Sequence, residues 1–365
     1  MMLAKHHYAF ELAKKGNQVY FLNPESIGQE NYIDIKEVAE YLDLFIINHS
    51  SSVPKWLKFH FLPLYHFLIK FHIRKIVRKL STPLDIIWSF DLGYYYPLTT
   101  FSKRAVKVFH PVDEPSNDIA IRAAKGADII FSVTHEIINK YKAVYKTPAF
   151  FINHGIANDF LVYQSNISSH ISNNEKVRIG LSGNFLRVDL DRICLLEIIE
   201  NNPDLFFEFF GSYRLKDTNI SGDDSSETIN FINKLLQKKN VVMHGVVDTK
   251  KLVSELNRMS AFLICYDVLK DQSKGTNYHK VMEYLSTGKV IISNNITTYQ
   301  NQPELVTMVQ ERDNNIKLPS LFRNVILNIN DFNSPSKQNI RQEFAENNTY
   351  SKQIERIYEL ILSTI

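Results

Sequence analysis

The sequence predicts an α/β protein built from two doubly wound domains facing a cleft, and three observations predict it. Short apolar runs of strand length alternate with helix-period segments twice along the 365 residues. A polar stretch at residues 161–176, rich in Ser and Asn, separates the two series. Within the second series, residues 261–293 read as one strand–loop–helix–strand unit. Ala261–Tyr266 is an apolar strand, Tyr278, Val281 and Leu285 recur at helical spacing, Gly288 sits where a C-terminal cap belongs, and Val290–Ile292 is a buried β-branched strand.

Composition narrows the classes. Hydrophobic residues at 44% with 22% charged are globular, and a net charge of +3 gives no argument for nucleic acid. The two cysteines, Cys194 and Cys265, each lie inside an apolar run and read as buried packing residues, too few for a structural zinc site. Without a signal peptide or an uncharged run of about 18 residues, a cytoplasmic protein is expected.

In the first half, Leu3 to Lys15 reads as a helix closed by Gly16, and Gln18–Leu22 as a strand. His6 and His7 near the helix start read as surface histidines or as one facing the cleft. A doubly wound half places its first strand mid-sheet, yet this chain opens in a helix. About 15–30 further residues before Met1, one strand and its loop, are therefore expected.

Residues 55–80 carry Lys55, Lys58, Lys70, Arg74, Lys75, Arg78 and Lys79 with no acid, interleaved with Trp56, Phe59, Phe61, Tyr65, Phe67 and Phe71. Two readings stand side by side. One is an interfacial segment on an anionic membrane. The other is a helix pair covering the sheet with its Trp and Phe residues inward and its cations snorkelling. Pro63 interrupts any single long helix, and no nucleic-acid module accompanies the charge.

Asp85–Phe90 and Ala105–Phe109 are strands, the second leading into His110-Pro-Val-Asp-Glu114. His110 and Asp113 just past a strand end suit activation of an acceptor hydroxyl. Equally, Asp113 and Glu114 cap the next helix. A helix near 117–125, the strand 128–133, a helix from His135 and the strand Ala149–Ile152 complete the series.

In the second half, the strand 176–183 ends in Gly183, which lets a ligand approach the backbone closely. Asp189 and Asp191 read as dipole partners of the following helix rather than metal ligands. The polar insertion 215–227 reads as a mobile surface loop. The helix near Asn277 would offer unpaired N–H groups to a phosphate, with Lys280 adding charge and Glu283 accepting from hydroxyls such as those of a ribose. The bland alternative is a solvated Lys280–Glu283 pair. The closing segment puts Ile354, Ile357, Tyr358 and Ile361 on one face.

Thr276-Asn277-x-x-Lys280-x-x-Glu283-Tyr284-Leu285-x-x-Gly288-Lys289 resembles the donor-binding helix of GT-B glycosyltransferases related to the large retaining "group 1" family. Ala127-Asp-x-Ile-x-x-Val-Thr134 with Asn153-x-Gly-Ile156 is similar to the end of their acceptor domain. The resemblance implies two Rossmann-like domains, an acceptor domain at 1–160, a linker at 161–176, a nucleotide-sugar domain at 177–340 and a returning helix at 341–365. It implies that the Thr276 and Asn277 amides and Lys280 hold the donor diphosphate, Glu283 the ribose, Gly183, Asn184 and Arg187 the phosphate side, and Gly245 the base region. Two departures stand out: Gly275 where many members carry a Glu, and Val290 where Pro is usual.

The resulting expectation is an enzyme with catalytic residues His110, Asp113 and Glu283. It moves a sugar from a nucleotide diphosphate donor to a glycan or lipid-linked acceptor of a bacterial surface polysaccharide, with retention and without metal or other cofactor. A peripheral position at the inner membrane face is expected through residues 55–80. The alternatives are an inactive nucleotide-sugar binder and a nucleotide-sugar epimerase of the same architecture.

Overall fold

The computed structural model describes residues 3–26, 31–40, 43–161, 176–217 and 222–365. It divides into two compact units, Met1–His154 with Tyr350–Ile365, and Gly155–Thr349. Of the expected linker at 161–176, residues 162–175 lie outside the described residues, as do 218–221 of the expected loop.

The first unit runs α1 (Ala4–Lys14), β1 (Val19–Leu22), β2 (Tyr32–Glu37), β3 (Leu44–Ser50), α2 (Trp56–His60), α3 (Leu62–Arg78), β4 (Ile86–Ser89), β5 (Val106–Phe109), α4 (Asp118–Arg122), β6 (Ile129–Ser132), α5 (His135–Lys142) and β7 (Ala149–Phe151). Gly16 follows α1 with φ 83°, the left-handed conformation a helix end favours. The strands form two separate sheets, β1-β3-β2 and β4-β5-β6-β7. Sequence reading missed β2 and β3, an antiparallel pair with Ile35 opposite Ile47. Among the described residues β1 pairs with β3 alone and β4 with β5 alone, and all four residues of each are only half-buried.

Residues 55–80 form two helices, broken at Phe61 just ahead of Pro63. The inward face of α3 is Tyr65, Ile69, His72, Ile73 and Ile76. The reading with Trp and Phe inward is therefore corrected: Trp56, Phe59, Phe61, Phe67 and Phe71 all point to solvent.

The second unit runs β8 (Arg178–Ser182), α6 (Arg192–Glu200), β9 (Phe206–Phe210), α7 (Ser226–Gln237), β10 (Val241–Gly245), α8 (Thr249–Asn257), β11 (Ala261–Ile264), α9 (Lys280–Ser286), β12 (Val290–Ser293), β13 (Thr307–Met308), α10 (Leu318–Leu327), α11 (Ile329–Phe332) and α12 (Pro335–Glu346). Its six strands make one parallel sheet in the order β10-β9-β8-β11-β12-β13. Strands β11 and β12 are fully buried, as their unbroken apolar sequence requires. Strands are added outward on one side of β8 as β9 and β10 and on the other as β11, β12 and β13, and such a switch point opens a crevice at the carboxyl ends of the strands.

The last helix, α13 (Tyr350–Thr364), belongs to the first unit. Ile354, Ile357 and Ile361 share a core with Tyr8, Val108, Ile129 and Phe131. Tyr358 lies at its margin, its hydroxyl donating to Asn17 at 3.2 Å.

Candidate functional site at the ends of β8 and β11

Three glycines end adjacent strands of the second unit: Gly183 after β8, Gly211 after β9 and Gly245 in β10, with φ of 143°, 138° and 74°. At Gly211 the need is absolute, since a Cβ would lie 1.8 Å from the Gly183 carbonyl oxygen. The strand ends are thus pressed together as bare backbone. Gly245 sits at a register shift of β10, and its amide is not the feature that distinguishes it; its carbonyl accepts from the Gly211 N–H at 2.8 Å.

Helix α9 grips the end of β8 from both sides of one residue. The Lys280 Nζ donates to the Ser182 carbonyl at 2.5 Å and to the Tyr266 hydroxyl at 2.7 Å. The Tyr284 hydroxyl accepts from the Ser182 N–H at 2.7 Å, while its ring stacks on Phe262 at 4.0 Å. A Cβ on Gly183 would meet the Lys280 Nζ at 2.8 Å, so glycine leaves the space in which that amine stands. The solvated Lys280–Glu283 pair is excluded, because the Glu283 carboxylate meets His279 at 2.9 Å instead.

The helix begins at Lys280, three residues later than the expected Asn277, and is seven residues long. The Thr276 N–H already donates to the Ser273 carbonyl at 3.1 Å, and its side-chain hydroxyl does the same at 2.8 Å. Asn277 is buried beside it. A diphosphate here would rely on Lys280 more than on helix N–H groups. Tyr278, Val281 and Leu285 form the expected buried face, and Gly288 the expected C-terminal turn with φ 75°.

Arg187 lies across the loop after β8. Its Nε donates to Asp189 at 2.8 Å, its Nη2 pairs with the same carboxylate and lies 3.5 Å from Asp271, and its guanidinium sits 5.6 Å from the Tyr266 ring centre. The Asp189 hydrogen bond raises the Arg187 pKa, outweighing desolvation. This corrects Asp189 as a helix-dipole partner. Asp191 does cap α6, accepting from the Cys194 N–H at 3.1 Å. Asn184 shapes the loop by accepting from the Leu186 N–H at 3.0 Å.

Sequence reading missed Tyr266 and Asp271. Buried Asp271 organises the loop after β11, accepting from the Ser273 N–H, the Ser273 hydroxyl, the Gly275 N–H and the Tyr278 hydroxyl at 3.0, 2.5, 3.1 and 2.7 Å. The signal was the spacing Asp271-x-Ser273-x-Gly275, the composition of an Asx turn. Gly275 is fixed by the same loop: its φ is 64° and a Cβ would meet the Asn295 carbonyl at 2.7 Å. A glutamate has no room there.

Near this loop Cys194, Cys265 and Asp191 bring three potential ligand atoms within 4.8 Å. Both thiols are buried and unbridged, and the hydrogen bond with Cys194 together with burial pushes Cys265 well above the usual thiol range. The Asp191 carboxylate is committed to the helix cap and to the Asn315 amide at 2.8 Å.

The remaining candidates belong to the first unit. His110 is 0% exposed, ringed by Tyr8, Trp88, Phe90 and Phe131 at 5.1–6.0 Å. Burial lowers its pKa to about 3, so the ring is neutral. Neither nitrogen reaches solvent or a hydrogen-bond partner among the described residues. Asp113 is exposed beyond β5, and Glu114 pairs with Lys140. Neither caps the next helix; Asn117 does, accepting from the Ala120 N–H at 3.0 Å. Of the two early histidines, His7 stacks on Tyr350 at 4.7 Å, and the His6 Nδ1 accepts from the Leu3 N–H at 2.9 Å.

No family model and no curated protein matches the chain. Solved structures do. A trehalose-6-phosphate synthase studied for glycosyl transfer with retention superposes with a TM-score of 0.67 at 12% identity, over 99% of this chain and 97% of that one. WaaG, a glycosyltransferase involved in lipopolysaccharide biosynthesis, gives 0.60 at 12%, over 97% and 94%. Anabaena HepE, solved in complex with UDP-glucose, gives 0.59 at 11%, over 87% and 86%. The fold is GT-B. Its two Rossmann-like units are those described above, and the cluster around Lys280 lies at the switch point of the second.

Proposed function

We propose that this GT-B protein transfers a glycosyl group from a nucleoside diphosphate sugar to a hydroxyl acceptor. The observation that carries this is the Lys280 amine, held beside the bare backbone of Gly183 by Ser182 and Tyr266 at the switch point of a parallel sheet. A fixed cation over exposed backbone suits the charge that grows on a departing diphosphate. Arg187, with its Nε and Nη2 engaged by Asp189, directs the Nη1 side of its fork to a phosphate oxygen. Glu283 receives the ribose hydroxyls, beside His279. On the acceptor side we assign Asp113 to the incoming hydroxyl, with the enclosed His110 supporting the strand end that carries it. No step in this reading calls for a metal. Retention, and an acceptor among bacterial surface glycans or their lipid-linked precursors, are the finer parts of the proposal. The fold shared with WaaG and the trehalose-6-phosphate synthase supports them.

A second reading, a nucleotide-sugar binder without transfer, is favoured by one observation: Gly275 admits no side chain where a sugar-contacting carboxylate is otherwise expected. A thermal-shift screen of UDP-, GDP- and ADP-sugars tests the binding common to both, since only a ligand of the folded state raises the melting temperature. Release of nucleoside diphosphate from a radiolabelled donor that shifts the melt supports the transferase. Binding without turnover in the presence of candidate acceptors supports the binder, and no shift with any donor overturns both.

A further inference from the structure

The outward side of α2 and α3 has a composition that the donor site does not explain. Trp56, Phe59, Phe61 and Phe67 are 59%, 67%, 57% and 59% exposed, an unusual density of large aromatic rings in water. On α3 the spacing is informative. Leu64, Phe67, Phe71, Arg74 and Arg78 fall at intervals of three or four residues and occupy one meridian of the helix, opposite the buried Tyr65, Ile69 and Ile76. The meridian is graded, apolar toward the N-terminus and basic toward the C-terminus. A 17-residue helix is about 25 Å long, so the gradient spans a substantial surface.

The charges sort in the same sense. Lys58 is buried, its amine 3.4 Å from the Tyr95 ring centre, and Lys55 lies 3.8 Å from the Glu25 carboxylate. Lys79 is tied to the Ile33 carbonyl at 3.1 Å. Arg74, Lys75 and Arg78 are exposed, and residues 55–80 contain no acid to balance them. The inward face is meanwhile pinned: the His72 Nε2 meets the buried His49 Nδ1 at 3.0 Å. The aromatic side is therefore presented by a firmly seated helix pair rather than exposed for want of a core to join.

We propose that the outward face of α2 and α3 docks on an anionic lipid bilayer, with the rings of Trp56, Phe59, Phe61, Phe67 and Phe71 entering the headgroup boundary and Arg74, Lys75 and Arg78 resting on lipid phosphates. Rings at one end and exposed cations at the other match the apolar and anionic layers of such a surface, and no described helix is long and apolar enough to cross it. This surface is independent of the donor site, so the two proposals fail separately.

The test is co-sedimentation of the full chain with vesicles of phosphatidylcholine alone or mixed with phosphatidylglycerol, at low and high salt. The wild type is expected to bind the mixed vesicles at low salt and to leave them at high salt, with a blue shift of Trp56 emission that the Trp56→Phe protein lacks. Arg74→Gln with Arg78→Gln should weaken binding about 30-fold, two lost headgroup contacts. Phe67→Ser with Phe71→Ser should weaken it about tenfold or more, on any vesicle. Circular dichroism and the donor-induced thermal shift confirm that each variant is folded. Absence of wild-type binding to mixed vesicles at low salt overturns the proposal, as does binding that both double variants retain in full. A concentration-dependent dimer that Phe67→Ser dissociates would also overturn it, assigning the face to a second copy.

Discussion

The two units are built on the same scheme and differ in the continuity of their sheets. The second closes six parallel strands around a central β8, and a single core runs through all of its layers. The first has two sheets of three and four strands, with its apolar residues divided among four smaller clusters. In the second unit, the end of β8 is fixed by neighbours on both sides and by α9, so Gly183, Lys280 and Arg187 stand at defined positions. In the first, β1 and β4 each have one neighbour among the described residues. A strand paired on both edges and buried on both faces, like β8 and β11, holds the groups at its end in place; β1 and β4, paired on one edge among the described residues and half-buried, hold theirs less firmly.

The contrast can be broken most severely at Gly211. Gly211→Ala drives a methyl group into the Gly183 carbonyl and demands an unfavourable φ, so the second unit should lose roughly 3–4 kcal/mol. Donor binding should fall with it, while urea unfolding followed by the emission of Trp88 in the first unit should be little altered. A fully stable alanine variant would show that the strand ends are not so tightly joined.

Arg341 comes next. Its side chain is buried and donates to the carbonyls of Glu304, Gly288 and Phe332 at 3.0, 3.0 and 2.9 Å, securing the turn between α9 and β12. Arg341→Met should cost about 3 kcal/mol, since each stranded carbonyl carries a penalty. Chemical denaturation provides the check, and a loss below about 1 kcal/mol would mean that water replaces the guanidinium.

The first unit should be the acid-sensitive one. Burial lowers His72 to about 4 and His110 to about 3, and it is also the largest cause of the lowered pKa of His49. Each is depressed in the folded state, so the unfolded chain binds more protons between the folded pKa and the ordinary value near 6.5. Their contribution is complete above about pH 6.5 and is lost as pH falls toward 4 and then 3. Unfolding monitored through Trp88 should move to lower denaturant across that window, and His110→Phe should flatten the dependence. An unchanged slope in that variant would remove His110 from the account.

How much of this was legible in sequence follows the same division. In the second unit β-branched runs such as Val290–Ile292 and the spacing of Tyr278, Val281 and Leu285 fixed strands and helix, because burial on all sides forces a regular apolar pattern. Lys280 was visible as a cation at a helix start. Tyr266 and Asp271 were not, because a tyrosine at a strand end and an aspartate in a polar loop carry no periodic signal; only the fold brings them to Arg187 and Lys280. In the first unit the β2–β3 pair escaped because neither strand alternates cleanly: β2 is half-buried to exposed throughout, and β3 buries Leu44, Ile47, His49 and Ser50 at irregular spacing. The aromatic segment was legible as unusual, but which side of it faced the core required the helix break at Phe61.

A smaller effect isolates the grip on β8. Tyr284→Phe removes the hydroxyl that holds the Ser182 N–H and should cost about 1–1.5 kcal/mol of stability, with a modest loss of donor affinity. Equal stability in the phenylalanine variant would assign the stacking on Phe262, not the hydroxyl, as the tyrosine's role.

The proposed role of the Lys280 amine is to bind the donor diphosphate. Calorimetric titration of wild type and Lys280→Met with the nucleoside diphosphate identified by the thermal-shift screen tests it directly. Lys280→Met should fold and bind the diphosphate more weakly by roughly 1.5–3 kcal/mol, the range for a hydrogen bond to a charged group, with binding of the corresponding nucleoside little changed. Equal affinity of the two proteins for the diphosphate would remove Lys280 from the donor site.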